Sequence, residues 1–157
     1  MRNLTAFKTK KSNSLLDWYK YKNPAVVFFN FIVVSLSKII PSMSLKRGLL
    51  RIIGMKIGKN TAIGLDAMFD VFFPELIEIG DNTIIGYSST ILAHEFLIKE
   101  LRTGKVKIGS NVMLGANSTV LAGIEISDNV TVSACSLVNK NLEKKGLYGG
   151  VPAKKIK

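Results

Sequence analysis

Apolar positions follow two different patterns along the chain. From Ile57 onward a large apolar residue recurs at every sixth position: Ile57, Ile63 and Phe69; Ile79, Ile85 and Ile91; then Ile108, Leu114, Val120, Ile126, Val132 and Val138. Glycine follows it at 58, 64, 80, 86, 109 and 115. The fifth place of the unit is often small or β-branched, as at Thr61, Ala67, Thr83, Ser89, Val112, Ser118, Val130 and Ser136. An α-helix carries residues six apart to different faces, and a flat strand alternates by two. A chain that turns after every short strand meets the pattern. The large residue and the small fifth residue then face inward. Asn60, Asp66, Asn82, Asn111, Asn117 and Asn129 stand at the turns, where left-handed backbone is required. Long period-six arrays of this kind predict a parallel β-helix.

Three units close one triangular coil, and the interruptions fall where coils end. The coils are 57–74, 79–96, 108–125 and 126–143, with Glu75–Glu78 and Leu97–Lys107 inserted between them. The expected class is therefore all-β, a β-helix of about four triangular coils with an N-terminal helical region. Strands stack about 4.8 Å apart, so the prism is only about 19 Å tall. Its open ends need caps. Residues 1–56 and the tail 144–157 are the segments available.

Residues 1–56 carry the second pattern. Residues 1–22 are polar and basic, with a cluster at Lys8–Lys11, and are expected to be poorly ordered. Asn23 and Pro24 suit the start of a helix that runs to Ile40 and is apolar nearly all round, hence buried or in lipid. Ser44 is placed to cap a second helix through Ile53, stopped by Gly54. That helix has Leu45, Leu49, Leu50 and Ile53 on one side and Lys46, Arg47 and Arg51 on the other. The apolar run Ala25–Ser37 contains Asn30, and extending it to Ile40 takes in Lys38. It falls short of the ~20 apolar residues that a spanning helix needs, and no secretory cleavage pattern follows it. Two readings stay open for 24–40. It caps the prism and packs in a trimer, or, the reading adopted, it makes peripheral membrane contact, lying in the interface with Trp18, Tyr19 and Tyr21 at headgroup level.

Composition narrows the chemistry. The chain has 157 residues, one domain's worth, with 22 Lys+Arg against 11 Asp+Glu and a net charge of +11. That balance favours anionic partners. No nucleic-acid motif accompanies it, and the charge is spread over loops and termini, so nucleic acid is not the expected partner. One cysteine, Cys135, excludes an intrachain disulfide and a CxxC metal site. It is expected to pack near the coil interior and not to act as a nucleophile. The single histidine, His94, excludes any site that needs several imidazoles from one chain, so no metal site is expected.

Three stretches carry a resemblance: Ile91-Leu92-Ala93-His94-Glu95-Phe96 with the loop after it, the run Ile108 to Asn117, and Gly149-Gly150-Val151-Pro152-Ala153-Lys154. From about Leu49 to its end the chain resembles the hexapeptide-repeat acyltransferases, and most of all the branch that acetylates sugars of capsules, exopolysaccharides and lipid-linked glycans. The resemblance implies left-handed coils, a homotrimer with each active site between two prisms, and acetyl-CoA as cosubstrate. It implies that His94 is the catalytic base and that the loop 97–107 reaches over a neighbouring subunit. The turns Gly115-Ala116 and Ser133-Ala134 match positions whose backbone lines the coenzyme A channel. Pro152 and Lys154 match the segment near the adenine end. Many relatives carry Asn before that proline, whereas Val151 here offers no polar side chain.

The chemistry agrees with that reading. Acyl transfer to a hydroxyl needs a base, and an imidazole serves at neutral pH. Asp70 and Glu95 are the candidates to orient His94 or bind the acceptor; Lys140 and Lys154 are placed to meet coenzyme A phosphates, and Arg102 to serve the loop. The expected activity is transfer of an acetyl group from acetyl-CoA to a hydroxyl of a sugar or lipid-linked glycan acceptor. N-acetylation of an amino sugar and a non-enzymatic membrane-surface scaffold remain the alternatives. A hexapeptide carbonic anhydrase is excluded by the histidine count. The expected location is the cytoplasm, at the inner face of the cell membrane.

Overall fold

The computed structural model describes residues 2–10 and 12–157. Lys11, the last of the basic cluster, lies outside them. Most of the chain winds into a prism with three parallel sheets as its faces. The first face stacks Lys56–Ile57, Ile77–Ile79, Val106–Ile108 and Glu125–Ile126. The second stacks Ala62–Ile63, Ile84–Ile85, Met113–Leu114 and Val130–Val132. It is extended by Gly146–Gly149 and then, antiparallel, by Lys154–Lys155. The third stacks Met68–Phe69, Thr90–Ile91, Thr119–Val120 and Leu137–Val138.

The register follows the six-residue repeat. Ile57, Ile79, Ile108 and Ile126 pair in sequence on the first face. Ile63, Ile85, Leu114 and Val132 do so on the second, and Phe69, Ile91, Val120 and Val138 on the third. All are buried, as are the fifth-position residues Thr61, Ala67, Thr83, Ser89, Val112, Ser118, Val130 and Ser136. The buried hydroxyls are satisfied by turn carbonyls: Thr61 donates to Gly80 at 2.7 Å, Thr83 to Gly109 at 2.8 Å and Ser89 to Gly115 at 3.0 Å. The six Asn/Asp turn residues named above all have positive φ. Ser88 and Cys135 join them. Cys135 is thus an exposed turn residue and not an interior one, because its place in the unit is the left-handed corner. Ile77 and Val106, read as inserted residues, are buried strand residues of the first face.

Along the faces, N–H groups of one coil donate to carbonyls of the next, as Gly58 does to Ile79 and Gly64 to Ile85, while the turn carbonyls of Lys59 and Leu65 accept from the second coil. At the first coil the carbonyls of Ile57, Gly58, Thr61, Ile63 and Gly64 are left for other donors. The N-terminal helices close that end. Helix α2 (Pro24–Ile39) is capped by Asn23, whose side chain accepts from the Ala25 N–H. It lays Asn30, Val33, Val34 and Ser37 inward, and the Asn30 amide donates to the Val71 carbonyl at 2.9 Å. Helix α3 (Met43–Ile52) starts two residues earlier than expected, because Ser42 and not Ser44 accepts from the Leu45 N–H. Its basic side turns toward the prism. Lys46 is fully buried and donates to the carbonyls of Ile63 and Gly64 at 2.9 and 3.0 Å. Arg47 donates to Thr61, and Arg51 to Ile57 and Gly58. Burial pushes the Lys46 ammonium pKa down.

The described residues ahead of α2 take up defined structure, contrary to the expectation for 1–22. The insertion after the second coil is a hairpin of His94–Phe96 and Glu100–Thr103, and Thr5–Lys8 adds to its outer edge as a third antiparallel strand. That edge would otherwise stand unpaired. Asn3 continues the segment by donating its N–H to the Gly123 carbonyl at 3.0 Å.

Candidate active site

Asp70 and His94 belong to successive coils at the same corner, where the third face turns toward the first. Asp70 follows Phe69, His94 follows the Ile91 strand, and Phe69 pairs with Ile91. The Asp70 carboxylate is buried and collects four donors. One oxygen accepts from the N–H groups of Phe72 and Phe73, both at 2.9 Å. The other accepts from the Ala93 N–H at 2.7 Å and meets His94 Nδ1 at 2.5 Å. Burial pushes the Asp70 carboxyl pKa up, but the hydrogen bond and charge of His94, with the Phe73 and Ala93 N–H groups, outweigh it and hold the value below the ordinary carboxylate one. An ionised Asp70 can only accept, so Nδ1 of His94 carries the proton and Nε2 is left as the basic nitrogen.

The imidazole stands among aromatic rings. Phe72 and Phe96 lie edge-on with centroids 4.9 Å away, and Phe73 is at 5.8 Å. Trp18 packs on Phe72 at 5.8 Å. Neither Trp18 nor Phe96 is assigned to the site by the sequence: Trp18 reads as a residue at membrane headgroup level, and Phe96 as the end of the second coil.

The second orienting candidate, Glu95, is engaged elsewhere. Its carboxylate is held by both terminal nitrogens of Arg2, at 2.5 and 2.6 Å. The structure brings Asp70 and not Glu95 onto His94, because alternate residues of the His94–Phe96 strand point to opposite sides. Arg102, expected to serve the loop, pairs there with Glu100.

The turns named for the coenzyme stack on a different corner, between the second and third faces. Gly115-Ala116 lies directly over Ser133-Ala134, with the Cys135 N–H donating to the Ala116 carbonyl at 2.8 Å. A Cβ at Gly115 would strike the Ser133 and Ala134 backbone, which explains the glycine. The tail runs onto this edge: Gly149 passes Ser133, and the Ala153 N–H donates to Leu137. Pro152 is exposed beside it, and Lys154 is exposed in the antiparallel tail strand. This edge carries only small side chains in its two C-terminal coils. Lys140 does not join it; it lines a shallow cleft with Asn141, Glu143, Lys144 and Tyr148.

Comparison with known proteins gives one answer. The family described as hexapeptide repeat of succinyl-transferase matches residues 105–140. The YvoF protein of Bacillus subtilis, named a presumptive acetyltransferase, is 44% identical over 99% of this chain and 91% of its own length. The similarly named SAR0816 of Staphylococcus aureus is 44% identical over 97% of this chain and 95% of its own. Among solved structures, a hexapeptide-repeat acetyltransferase of Vibrio cholerae in complex with acetyl coenzyme A superposes with a TM-score of 0.71, at 19% identity over 85% of this chain and 86% of that one. A galactoside acetyltransferase in complex with coenzyme A gives 0.64, at 18% identity over 98% of this chain and 86% of that one.

Proposed function

The chain belongs to the hexapeptide-repeat acetyltransferases, left-handed parallel β-helix proteins, and from that premise we propose that it moves an acetyl group from acetyl-CoA to a hydroxyl of a sugar or glycan precursor, with His94 as general base. The observation that carries this reading is the Asp70–His94 pair. Asp70 holds the Nδ1–H, so the Nε2 lone pair takes the acceptor's proton as its oxygen attacks the thioester carbonyl. The C–S bond then breaks, and the imidazolium returns the proton to the departing thiolate. The products are an O-acetyl ester and coenzyme A. Phe72, Phe73 and Phe96 offer faces and edges against which the C–H surface of a sugar ring packs. Distant fold neighbours include a maltose O-acetyltransferase and the galactoside enzyme, which favours a sugar hydroxyl.

Assembly follows from the same reading. His94 and the small-residue edge 115–116 and 133–134 occupy different corners of one prism. A complete site then forms between two chains, and a homotrimer closes three such sites. Helix α2 supports a further element of the proposal, peripheral contact with a membrane at its cytoplasmic face. Its outer side leaves Phe28, Phe29, Phe31, Ile32, Leu36 and Ile39 exposed. Among the described residues no single helix is long and apolar enough to cross a membrane.

Replacing His94 by alanine tests the mechanism. Turnover of acetyl-CoA with an accepted sugar is expected to fall about 10²–10⁴-fold, while calorimetry finds acetyl-CoA binding retained. Unchanged turnover would remove His94 from the reaction.

A further inference from the structure

His94 begins the hairpin that is inserted after the second coil. In the sheet order Thr5–Lys8, Glu100–Thr103, His94–Phe96, that hairpin pairs with no strand of the three faces. A two-stranded hairpin on its own is at best marginally stable in water. The third strand comes from the N-terminal segment, which holds the hairpin at its edge, its tip and its base. Along the edge, Thr5 to Lys8 pair with Thr103 to Glu100, and the Thr9 N–H donates to the Lys99 carbonyl at 3.0 Å. At the tip, Ser14 is fully buried, and its N–H and its hydroxyl both donate to the Leu97 carbonyl, at 3.4 and 2.6 Å. Next to His94, Arg2 grips Glu95 with two nitrogens, at 2.5 and 2.6 Å. Trp18, the first residue of the short helix α1 (Trp18–Tyr21), packs on Phe72, which in turn touches the imidazole.

The prism is shaped to seat this segment. A Cβ on Gly104 or on Gly123 would come within 2.5 Å of the Asn3 carbonyl oxygen, and Gly123 has a φ of +74°. Glycine at both places is what lets the chain pass. The Arg2 and Glu95 side chains are only 17% and 19% exposed and meet in bidentate fashion, so this pair is stronger than an open surface ion pair. Asp70 fixes a single atom of the imidazole, Nδ1. How the ring is turned about that bond depends on the strand that carries His94, and hence on what holds the strand.

We propose that residues 2–9 and 14–18 form a clamp on the hairpin that bears His94, and that Arg2, through Glu95, and Ser14, through the Leu97 carbonyl, are positioning residues for the imidazole. The clamp keeps Nε2 aimed at the acceptor while Asp70 keeps the proton on Nδ1. The proposal deepens the reading of His94 as base, but one arm of its test does not depend on that reading.

His94 is the chain's one histidine, so a ring labelled with nitrogen-15 gives a single set of signals. In the wild type its Nδ1–H, bonded to buried Asp70, is expected to exchange slowly with water. Arg2→Ala and Ser14→Ala, at opposite ends of the segment, should each speed that exchange about tenfold or more by letting the hairpin open locally. With methyl glucoside as acceptor, each should also lower kcat about tenfold, since small displacements of a reacting group are costly. The KM for acetyl-CoA and the melting temperature should stay near those of the wild type. The exchanged pair Arg2→Glu with Glu95→Arg should restore both slow exchange and kcat. Exchange or kcat that stays at the wild-type value in both variants overturns the clamp. So does a fall in melting temperature together with a rise in the KM for acetyl-CoA, which would make Arg2 and Ser14 general fold contacts. Should the wild type acetylate neither methyl glucoside nor methyl glucosaminide, the exchange arm decides alone: faster exchange in the variants supports the clamp, and the sugar acceptor is then what fails.

Discussion

Asp70 sits where the repeat should have a glycine, and that one exchange builds the site. A carboxylate at the corner takes over the donors of Phe72, Phe73 and Ala93 and still has a lone pair for His94. Asp70→Asn would turn an N–H toward Nδ1, so the imidazole would accept there and carry its proton on Nε2, where the base is needed. Turnover should fall about 10³–10⁴-fold with the fold retained, and proton NMR of the ring should report the exchanged tautomer. The same pair sets an acid-side dependence of stability. Asp70 is held below its ordinary 3.8, so the stability its charge contributes is fully present above that value and is lost as pH falls through the native one. The melting-temperature gap between wild type and Asp70→Asn should therefore narrow below about pH 4 in calorimetric scans, and a gap constant with pH would contradict this. His94 and Asp70 were legible because each breaks the repeat at a corner. Arg2 and Trp18 were not, since neither lies within any periodic pattern and their places depend on long-range pairing.

At the scale of elements, the repeat carried its own register, and what it lacked was an account of its ends. The open carbonyls of the first coil draw three cationic side chains of α3 inward, so a helix that reads as amphipathic buries part of its charged side. The Thr5–Lys8 strand is four residues long and too short for alternation to reveal; its partner edge on the hairpin is what orders it. Helix α2 reads as apolar all round because it has two apolar uses. Asn30, Val33 and Val34 cover the prism, and the outer phenylalanines face away from it. Deleting α2 would also strip the cover from the first coil, so point changes are the sharper probe. Phe28→Ser, Phe31→Ser and Ile39→Ser together should cut flotation with anionic liposomes about 10²-fold or more while leaving the melting temperature near that of wild type. High salt should release the unaltered protein only in part, because screening weakens the contribution of the lysines and not that of the apolar side chains. Wild-type protein that fails to float at low salt would leave α2 as a contact between subunits.

For the whole molecule, the decisive arrangement is that His94 stands at one corner of the triangular section and the small-residue edge at another. Under the proposed function, a coenzyme laid along residues 115–116 and 133–134 would meet a histidine from another chain. That geometry predicts complementation. His94→Ala removes the base but leaves the edge intact; Ala134→Trp fills the exposed edge and should block acetyl-CoA but leaves the base. Each variant alone should be nearly inactive. In a trimer that contains both, going once around the ring meets one junction where an intact base faces an intact edge. Random mixing of equal amounts makes about three-quarters of trimers mixed, each with one working site of three, so about a quarter of wild-type activity should return. Mixed chains that stay as inactive as their parents, with mixed trimers demonstrated by mass spectrometry, would place base and coenzyme within a single chain and reject the inter-subunit site.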